Sequence, residues 1–404
     1  SHMSNLLKNE LVPDGGIPKG VLFLMAAVAG LSVANLYYNQ PLLEEMRNSL
    51  GVNQFQANLI SFITQAGYAL GLLLVVPLAD RYSRRRIISV NLSLSVLMCL
   101  LIAVSDSVWF VWGASLVLGC NSVVPQMFIP VANHFSLPEN KSRNMGFVLS
   151  GLLSGILGAR VVSGYVGEIA GWRIMFVIAA CIMVACLVCI LCKFPMMQSS
   201  FSGSYRDLMK SIGAIYCRHR LIRIYSLRGA FSFGSMMSIW SCMAFHLSEA
   251  PFFANSDKVG LLGLCGLAGA FAASGIGKYV VRIGIERFCV WGSLSQVLAW
   301  CCAFLLQDYY VGMVLGIILV DVGVQCQQLC NQTGCFKIVP QATNRANTIF
   351  MTHLFVGGSL GTLASGCAWN VAGWNGVCIV GMACALISLA VSCVFRPLLT
   401  AHDK

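Results

Sequence analysis

Charged residues are scarce in this chain, and their scarcity excludes an ordinary soluble domain. Only 10% of its 404 residues are Asp, Glu, Lys or Arg, whereas 57% are hydrophobic. Soluble domains average roughly 25% charged and 45–50% apolar residues. The charges fall in clusters between apolar stretches of about 20 residues, the length that crosses a hydrocarbon core of roughly 30 Å. The composition therefore predicts an integral membrane protein, with the lipid bilayer as its first partner.

Motifs for catalysis and nucleotide binding are also missing. The chain has no Walker sequence, no nucleophile elbow and no His-Glu-x-x-His spacing. Cys326 and Cys330 could share a helix face, but no His or carboxylate stands beside them at metal-ligand spacing. We therefore expect no enzyme activity, no metal and no cofactor. The net charge of +11 is attributed to loop retention and not to nucleic-acid binding.

Apolar runs between turn and charge signals predict twelve transmembrane helices in an all-α membrane protein. Ser1-His2-Met3 is typical of an expression-tag remnant, and no cleavable signal precedes the first apolar run. A serine-rich stretch and an amphipathic segment separate two halves. The predicted parts are a tail at 1–19, a six-helix bundle at 20–193, a cytoplasmic linker at 194–220, a second bundle at 221–396 and a tail at 397–404. The helices are expected to start near Gly20, Asn53, Arg84, Ser107, Asn140, Gly171, Leu221, Ser256, Gly284, Asp308, Gln341 and Gly373.

The distribution of Lys and Arg predicts the orientation. Alternating loops place about 22 of these residues on the side of the termini and about 3 opposite, namely Arg47, Arg173 and Lys258. Arg160 remains inside a span. Both termini are therefore expected in the cytoplasm, and the protein in a bacterial plasma membrane.

An internal repeat relates the halves. Shifting the chain by 202 residues aligns Ala170-Gly171-Trp172 with Ala372-Gly373-Trp374, and roughly nine identities fall in one 35-residue window. The aligned pairs include Pro138 with Pro340, Arg143 with Arg345, Gly155 with Gly357, and Gly164 with Gly366. Ancestral duplication is the simplest explanation, and parallel repeats are a known transporter architecture.

Residues 76–86, between spans two and three, read Val-Pro-Leu-Ala-Asp-Arg-Tyr-Ser-Arg-Arg-Arg. This segment resembles the loop signature of the major facilitator superfamily, with Val76 and Ser83 in place of two glycines. A weaker copy follows in the second half, with Val281 where the signature has Asp. The resemblance implies two six-helix bundles related by pseudo-twofold symmetry. It also implies a conformational latch, carried here by Asp80, Arg81, Arg84 and Arg85 and, in the second copy, by Gly277, Arg282, Gly284 and Arg287.

Further motifs are similar to the drug and sugar efflux branch of proton antiporters. They are residues 39–42, Gly171-Trp172-Arg173 and Asn331-Gln332. The chain departs from that branch in span four, where Ser115 and not Arg precedes Gly119. In span five it reads Gly158-Ala159-Arg160 where Gly-Pro is common. These departures leave the antiporter assignment open.

Three titratable side chains lie inside predicted spans. An ionised group in hydrocarbon costs at least about 2.5–3.5 kcal/mol on insertion scales, so each should face a cavity or a partner. Asp321 is the only carboxylate at mid-depth, and we expect it to carry a coupling proton, because burial favours its neutral form and a nearby cation its ionised form. Arg160 is expected to bind an anionic group or to neutralise a carboxylate. His353 is a weaker candidate for proton relay. A purely structural role remains open for all three.

Uncharged polar and aromatic residues mark an expected binding surface. In the superfamily, spans one, four, seven and ten line the central cavity, and such residues concentrate there in this chain. Each could instead bond neighbouring helices together. The substrate-binding candidates are Asn35, Tyr38, Asn39, Gln65, Asn121, Gln126, Trp240, Gln325, Gln328, Asn331 and Gln332, together with Arg160.

These observations favour a secondary transporter, driven by a proton gradient, that exports small amphipathic or drug-like compounds by alternating access. A symporter or exchanger of a small organic anion bound by Arg160 is the second hypothesis. A membrane sensor or lipid-handling protein without transport is the third. The expected partners are lipid, a small-molecule substrate and protons, and the expected state is a monomer.

Overall fold

A computed structural model describes residues 10–197, 201–267 and 280–403. Ten helices in these ranges are long and apolar enough to cross a membrane. An eleventh, Arg220–Ser248, is 29 residues long and less apolar because it carries arginines and serines. The helix Ser256–Leu261 begins where an eighth span was predicted from the sequence, and residues 268–279 lie outside the described residues. The predicted all-helical membrane fold is confirmed.

The first half contains spans one to six, most of them joined by short turns. Gly51 ends span one in a left-handed conformation, and a capping box between Asn53 and Gln56 starts span two. In chain order the helices are Lys19–Val33 and Asn39–Leu50 (span one), Gln54–Leu74 (two), the short Leu78–Arg81, Arg84–Val104 (three), Val108–Asn121 and Val124–Phe135 (four), Lys141–Ala170 (five) and Trp172–Lys193 (six).

The second half follows a linker helix, Tyr205–Arg218, which begins with a capping box between Ser204 and Asp207. Spans seven to twelve begin within two residues of the positions predicted from the sequence. The described helices of this half follow in chain order. They are Arg220–Ser248 (span seven), Ser256–Leu261 with the 3₁₀ turn Leu262–Gly266 (eight), the short Val280–Ile283, Ile285–Leu305 (nine), Tyr310–Ile338 (ten), Thr343–Ala372 (eleven), Trp374–Val394 (twelve) and the terminal Arg396–Asp403.

Spans five and six recur as spans eleven and twelve. A 3₁₀ turn at Pro138–Asn140 precedes the 30-residue helix of span five, and one at Pro340–Ala342 precedes the 30-residue helix of span eleven. Gly171 and Gly373 then adopt φ values of 92° and 63° before the next helix begins at a buried tryptophan. The repeat read from the sequence is thus a repeat of backbone conformation.

Glycines bring the helices of each half into backbone contact. A methyl group at Gly155 of span five would overlap the backbone of Gly30 in span one. A methyl group at Gly357 of span eleven would likewise overlap the backbone of Ala230 in span seven. Such small residues allow the backbones to approach closely. Helix association in a bilayer depends on this packing, because the hydrophobic effect does not drive helices together in lipid.

The two halves meet through a second pair of equivalent glycines. Gly164 of span five rests on Ser256 and Gly260 of span eight, and Gly366 of span eleven rests on Asn58 of span two. Gly164 and Gly366 are related by the repeat, and so are Asn58 and Gly260. The interface therefore has the pseudo-twofold symmetry that the duplication implies.

Polar bonds close the interface on the side opposite the termini. Trp369 Nε1 donates to Gln54 Oε1 at 2.6 Å, where span eleven ends and span two begins. The Ser256 hydroxyl donates to Glu45 at 2.9 Å, and Asn255 donates to Glu168 at 3.0 Å. These bonds join spans two and eleven, one and eight, and five and eight, so the halves are held together at this end.

On the side of the termini, the N-terminal tail is bound to the first half. Glu10–Leu11 (β1) pairs in parallel with Met196–Met197 (β2), directly after span six. Asp14 forms an ion pair of 2.6 Å with Lys141 at the start of span five. The tail therefore connects the start of span five to the segment that follows span six.

The linker contacts both halves. Its start is tied to the first half, because the Phe201 amide donates to the Asp80 carbonyl at 3.1 Å and the Tyr205 hydroxyl donates to the Leu74 carbonyl at 2.7 Å. Its helix is tied to the second half through a hydrogen bond from Arg345 to the hydroxyl of Ser211.

Replacing Gly155 with alanine should destabilise the protein by about 1–3 kcal/mol, because the added methyl forces spans one and five apart. Gly158→Ala is the matched control in the same helix, since a methyl there meets nothing within 4 Å. It should be neutral or slightly stabilising, because alanine is the better helix former. Thermal unfolding of the purified variants in one detergent measures both, and equal melting temperatures would contradict the close crossing.

Candidate functional site

Spans one and four break inside the membrane region. Span one stops at Val33, passes through the 3₁₀ turn Ala34–Leu36 and resumes at Asn39, with Pro41 in the new first turn. Span four stops at Asn121 and resumes at Val124. Non-helical backbone at membrane depth is tolerated only where it is buried in protein or lines a cavity, and broken helices commonly form transporter binding sites.

Arg160 lies where the break of span one meets span seven. Its side chain is 3% exposed. Nε donates to Gln40 Oε1 at 2.9 Å. The guanidinium carbon lies 4.0 Å from the ring centre of Trp240 and 5.0 Å from that of Tyr37, within the range of cation–π attraction. A residue of span five is thus held by residues of spans one and seven.

Asp321 of span ten faces the same region and is 6% exposed. A methyl group on Gly266 would stand 3.0 Å from its Oδ2, and one on Gly263 would stand 2.9 Å from Arg160 Cβ. Both charges therefore flank the 3₁₀ turn of span eight. They attract each other electrostatically but are not among the four ion pairs within 4.0 Å in the described part of the chain.

Three buried donors around Arg160 lack an acceptor among the described residues. They are Arg160 Nη2, Gln40 Nε2 and Trp240 Nε1. A buried polar group without a partner costs about 1–3 kcal/mol, so three such donors on neighbouring side chains favour a ligand or water that brings acceptor oxygens. The guanidinium of Arg160 itself lies over the rings of Trp240 and Tyr37.

A polar stripe continues from Asp321 along span ten towards the termini. Asp321, Gln325, Gln328 and Gln332 recur at the spacing of one helix face. Gln325 and Gln328 are half-buried, and Gln332 donates to Asn347 of span eleven at 3.1 Å. This face joins the charged site to the side of the protein that carries the termini.

Most other substrate candidates pack inside the first half. Asn35 donates to Met183 Sδ at 3.2 Å, and Asn39 donates to Thr64 Oγ1 at 3.5 Å. Tyr38 is 3% exposed and lies near two cysteines of spans three and six. These contacts support the break of span one and do not bring the three residues to Arg160.

Three further substrate candidates form hydrogen bonds of three different kinds. Gln65 donates to Thr362 Oγ1 of span eleven at 3.1 Å, a bond between the halves. Gln126 donates to the Tyr68 hydroxyl at 3.3 Å. Asn121 donates to the carbonyl of Val117 in its own helix at 2.8 Å.

His353 is placed apart from Asp321. Its ring stacks on Tyr216 of the linker helix at a centre distance of 5.3 Å, and Nδ1 lies 2.8 Å from the carbonyl of Ile349. The described contacts give it a role at the linker and do not connect it to the charged site.

The predicted latch of the first half braces neighbouring spans. Arg84 is 4% exposed, and its guanidinium carbon lies 5.7 Å from the ring centre of Phe135 at the end of span four. Arg85 donates to the Leu191 carbonyl of span six, and Asp80 attracts Arg84 electrostatically. Arg81 lies over the ring of the adjacent tyrosine at 5.4 Å.

In the second copy of the latch, Gly284 precedes span nine with a φ of 106°. Arg282 and Arg287 are exposed beside it. Gly277 lies outside the described residues.

A charged network in the second half was not predicted. Arg228 of span seven is fully buried and donates to both oxygens of Glu286 in span nine, at 2.7 and 3.2 Å. It also donates to Asn331 at 2.8 Å and to Ser392 at 3.1 Å. The predicted cavity residue Asn331 is therefore part of a bond between helices. The sequence did contain an indication of this network, because Arg228 lies within an apolar run. It was missed because several arginines that favour a cytoplasmic loop lie just before it in the chain.

Comparisons with known proteins agree with this architecture. The profile described as Major Facilitator Superfamily matches residues 22–362. "Uncharacterized transporter YgaY" of Escherichia coli O157:H7 is 33% identical over 379 residues, covering 94% of this chain and 96% of the relative. "Inner membrane transport protein YnfM" of E. coli K12 is 23% identical over 356 residues, covering 86% and 84%.

A solved structure shares the fold. It is a bacterial homologue of the human lysosomal transporter Spinster, in an inward-facing and unoccupied conformation. It superposes with a TM-score of 0.70 at 13% identity, covering 95% of both chains.

Arg160→Ala should cost about 1–3 kcal/mol of stability, because it leaves buried Gln40 Oε1 without its donor and Asp321 without its nearest cation. Asp321→Asn removes the orphaned charge, so the double variant should recover part of that loss, with a coupling of about 1–3 kcal/mol. Thermal unfolding of the four proteins measures the coupling. The control cycle is Arg173 with Asp106, an ion pair of 3.0 Å whose carboxylate is 94% exposed, which should couple more weakly. Strict additivity at Arg160 and Asp321 would contradict their interaction.

Proposed function

Because the chain belongs to the major facilitator superfamily, we propose that this membrane transporter works by alternating access and exports small amphipathic or drug-like compounds in exchange for protons. The observation that carries the proposal is the charged site at the interface. Arg160 of the first half and Asp321 of the second flank one turn of span eight, and both are buried. Alternating access moves the halves relative to each other, so it changes the surroundings of both charges together.

Asp321 is the proposed coupling group. Arg160 flanks the same turn of span eight, and the attraction of its guanidinium favours the ionised carboxylate. Exchange requires that substrate and proton occupy the site in turn. A substrate that places a donor or cationic group beside Asp321 favours the ionised carboxylate, so its binding releases the proton. Protonation of Asp321 from the other side of the membrane removes that attraction and releases the substrate.

The substrate site is proposed to lie between Trp240, Tyr37, Gln40 and Arg160. The unpartnered donors on Arg160, Gln40 and Trp240 can donate to acceptor atoms at the polar end of a substrate, and the rings of Trp240 and Tyr37 can contact its apolar part when the guanidinium shifts. The half-buried amides of Gln325 and Gln328 extend this surface towards the termini.

Access is proposed to alternate between two ends of the interface. The bonds from Trp369 to Gln54 and from Ser256 to Glu45 close the end opposite the termini and must break when that end opens. Arg84 and Arg85 contact spans four and six of the first half in this structure, and the latch that they form with Asp80 is proposed to engage the second half when the other end closes. The charge asymmetry of the loops supports cytoplasmic termini, and the bacterial relatives support the inner membrane.

Asp321→Asn should abolish the dependence of transport on an imposed pH gradient, because the amide cannot exchange a proton. Uptake into everted vesicles, with a panel of amphipathic compounds, measures this dependence. Asp308→Asn is the matched control, since Asp308 is an exposed carboxylate just before the same span. Unchanged pH-gradient dependence in Asp321→Asn would rule out the coupling role.

Exchange or symport of a small organic anion is the second candidate. The observation that favours it is the set of three donors around Arg160 with no acceptor among the described residues. An anionic group would satisfy all three, and Arg160 can hold a carboxylate with two parallel bonds. In this case Asp321 would tune the strength of the anion site.

Arg160→Lys separates the two candidates. Lysine keeps the charge but loses the planar fork, so an anion exchanger should bind its substrate at least about tenfold more weakly, the loss of one strong bond. Counterflow of labelled anions in proteoliposomes without a pH gradient measures the effect. An exporter of neutral or cationic amphipathic compounds should show no anion counterflow even in the wild type.

A further inference from the structure

A groove separate from the charged site runs along the outer surface between spans three and six. Its volume is about 540 Å³. Arg85, Arg86 and Ser89 line it near the start of span three, and Leu94, Leu187 and Leu191 are among its apolar lining residues. Span three begins and span six ends on the side of the termini, so the groove lies at that boundary of the membrane.

The groove changes from basic to apolar as it enters the membrane. Arg86 is exposed at its mouth, and Arg85 ties span three to the Leu191 carbonyl of span six. The hydroxyls of Ser89 and Ser93 are satisfied, because each donates to a carbonyl one turn earlier at 2.7 and 2.8 Å. The lining residues within the described ranges include no carboxylate. The net charge of the mouth is therefore positive.

We propose that this groove binds an anionic phospholipid of the leaflet on the side of the termini. The headgroup phosphate contacts Arg86 and Arg85, and an acyl chain lies along the apolar part between spans three and six. The argument rests on charge complementarity and position. A basic pocket between transmembrane helices at the headgroup level recognises anionic headgroups, and a neutral headgroup loses that attraction.

The bound lipid would connect two spans of the first half. Arg85 already joins span three to span six, and the lipid would add a second connection at the same level. Arg86 and the apolar lining residues lie outside both the substrate site and the latch, so variants at these positions test lipid binding separately from transport.

Titration of the purified protein in detergent with phosphatidylglycerol, followed by native mass spectrometry, tests the proposal. Phosphatidylglycerol should remain bound in preference to phosphatidylcholine. Arg86→Ala should weaken phosphatidylglycerol binding by about fivefold, the loss expected for one arginine near an anionic headgroup. Arg287→Ala is the matched control, because Arg287 is exposed at the corresponding position of span nine, and it should leave the affinity unchanged.

A second pair of variants tests the groove itself. Val90→Trp fills it while keeping both arginines, and should weaken binding as strongly as Arg86→Ala. Leu97→Trp adds the same ring to an exposed position further along span three, beyond the lining residues, and should have no effect. Monodisperse elution of each variant verifies that it is folded.

Three results would overturn the proposal. Equal losses in Arg86→Ala and Arg287→Ala would indicate attraction to the whole basic surface. Normal binding by Val90→Trp would mean that no acyl chain enters the groove. Equal affinity for glycerol phosphate or inorganic phosphate would identify a free anion, and not a lipid, as the ligand.

Discussion

The guanidinium of Arg160 cannot lose its charge in the membrane, and the interface between the halves is arranged around that constraint. An aromatic face, an amide oxygen and a distant carboxylate share the charge, and they come from spans seven, one and ten. Span eight supplies no side chain at Gly263 and Gly266, so both charged groups can approach its backbone turn. The result is a charge that is neutralised without being locked in one bond.

The duplication provides two equivalent contacts between the halves, and their chemistry has diverged. Thr362 is the repeat counterpart of Arg160, and it accepts a neutral hydrogen bond from Gln65. Gly119 is the counterpart of Asp321, and it packs on the backbone of Thr64 in span two. One contact is therefore a packed neutral junction, whereas the other carries separated charges. The duplication kept the scaffold, and the polar chemistry is concentrated at one of its two equivalent positions.

The second half treats its other buried arginine differently. Arg228 is bound directly to both oxygens of Glu286, with Asn331 and Ser392 completing its bonds. A buried pair with this geometry costs several kcal/mol when one partner is removed, and it holds spans seven, nine, ten and twelve in one arrangement. Arg228 therefore belongs to the rigid part of the bundle, and Arg160 to the part whose partners can change.

Hydropathy and loop signals were sufficient to predict where the spans start, because both depend on local sequence. Arg160 and Asp321 were also recognisable, since a charge within an apolar run is costly wherever the run packs. Their meeting was not predictable, because it depends on how two separate bundles dock. The break in span one likewise turns Asn35, Tyr38 and Asn39 into the first bundle, and helical periodicity carried across the break would not reveal this.

The linker helix is bonded to both halves, and this limits how they can move relative to each other. It is tied to the first half as far as Tyr205 and to the second half from Ser211 onwards, and these residues belong to a single helix. The chain between the anchors is about 9 Å of helix, at roughly 1.5 Å per residue. A helical segment this short cannot lengthen. When the halves rotate, this helix must either turn with one of them or lose a hydrogen bond to the other. The bond from the Tyr205 hydroxyl to the Leu74 carbonyl therefore limits how far the halves can rotate while the linker helix stays attached to both.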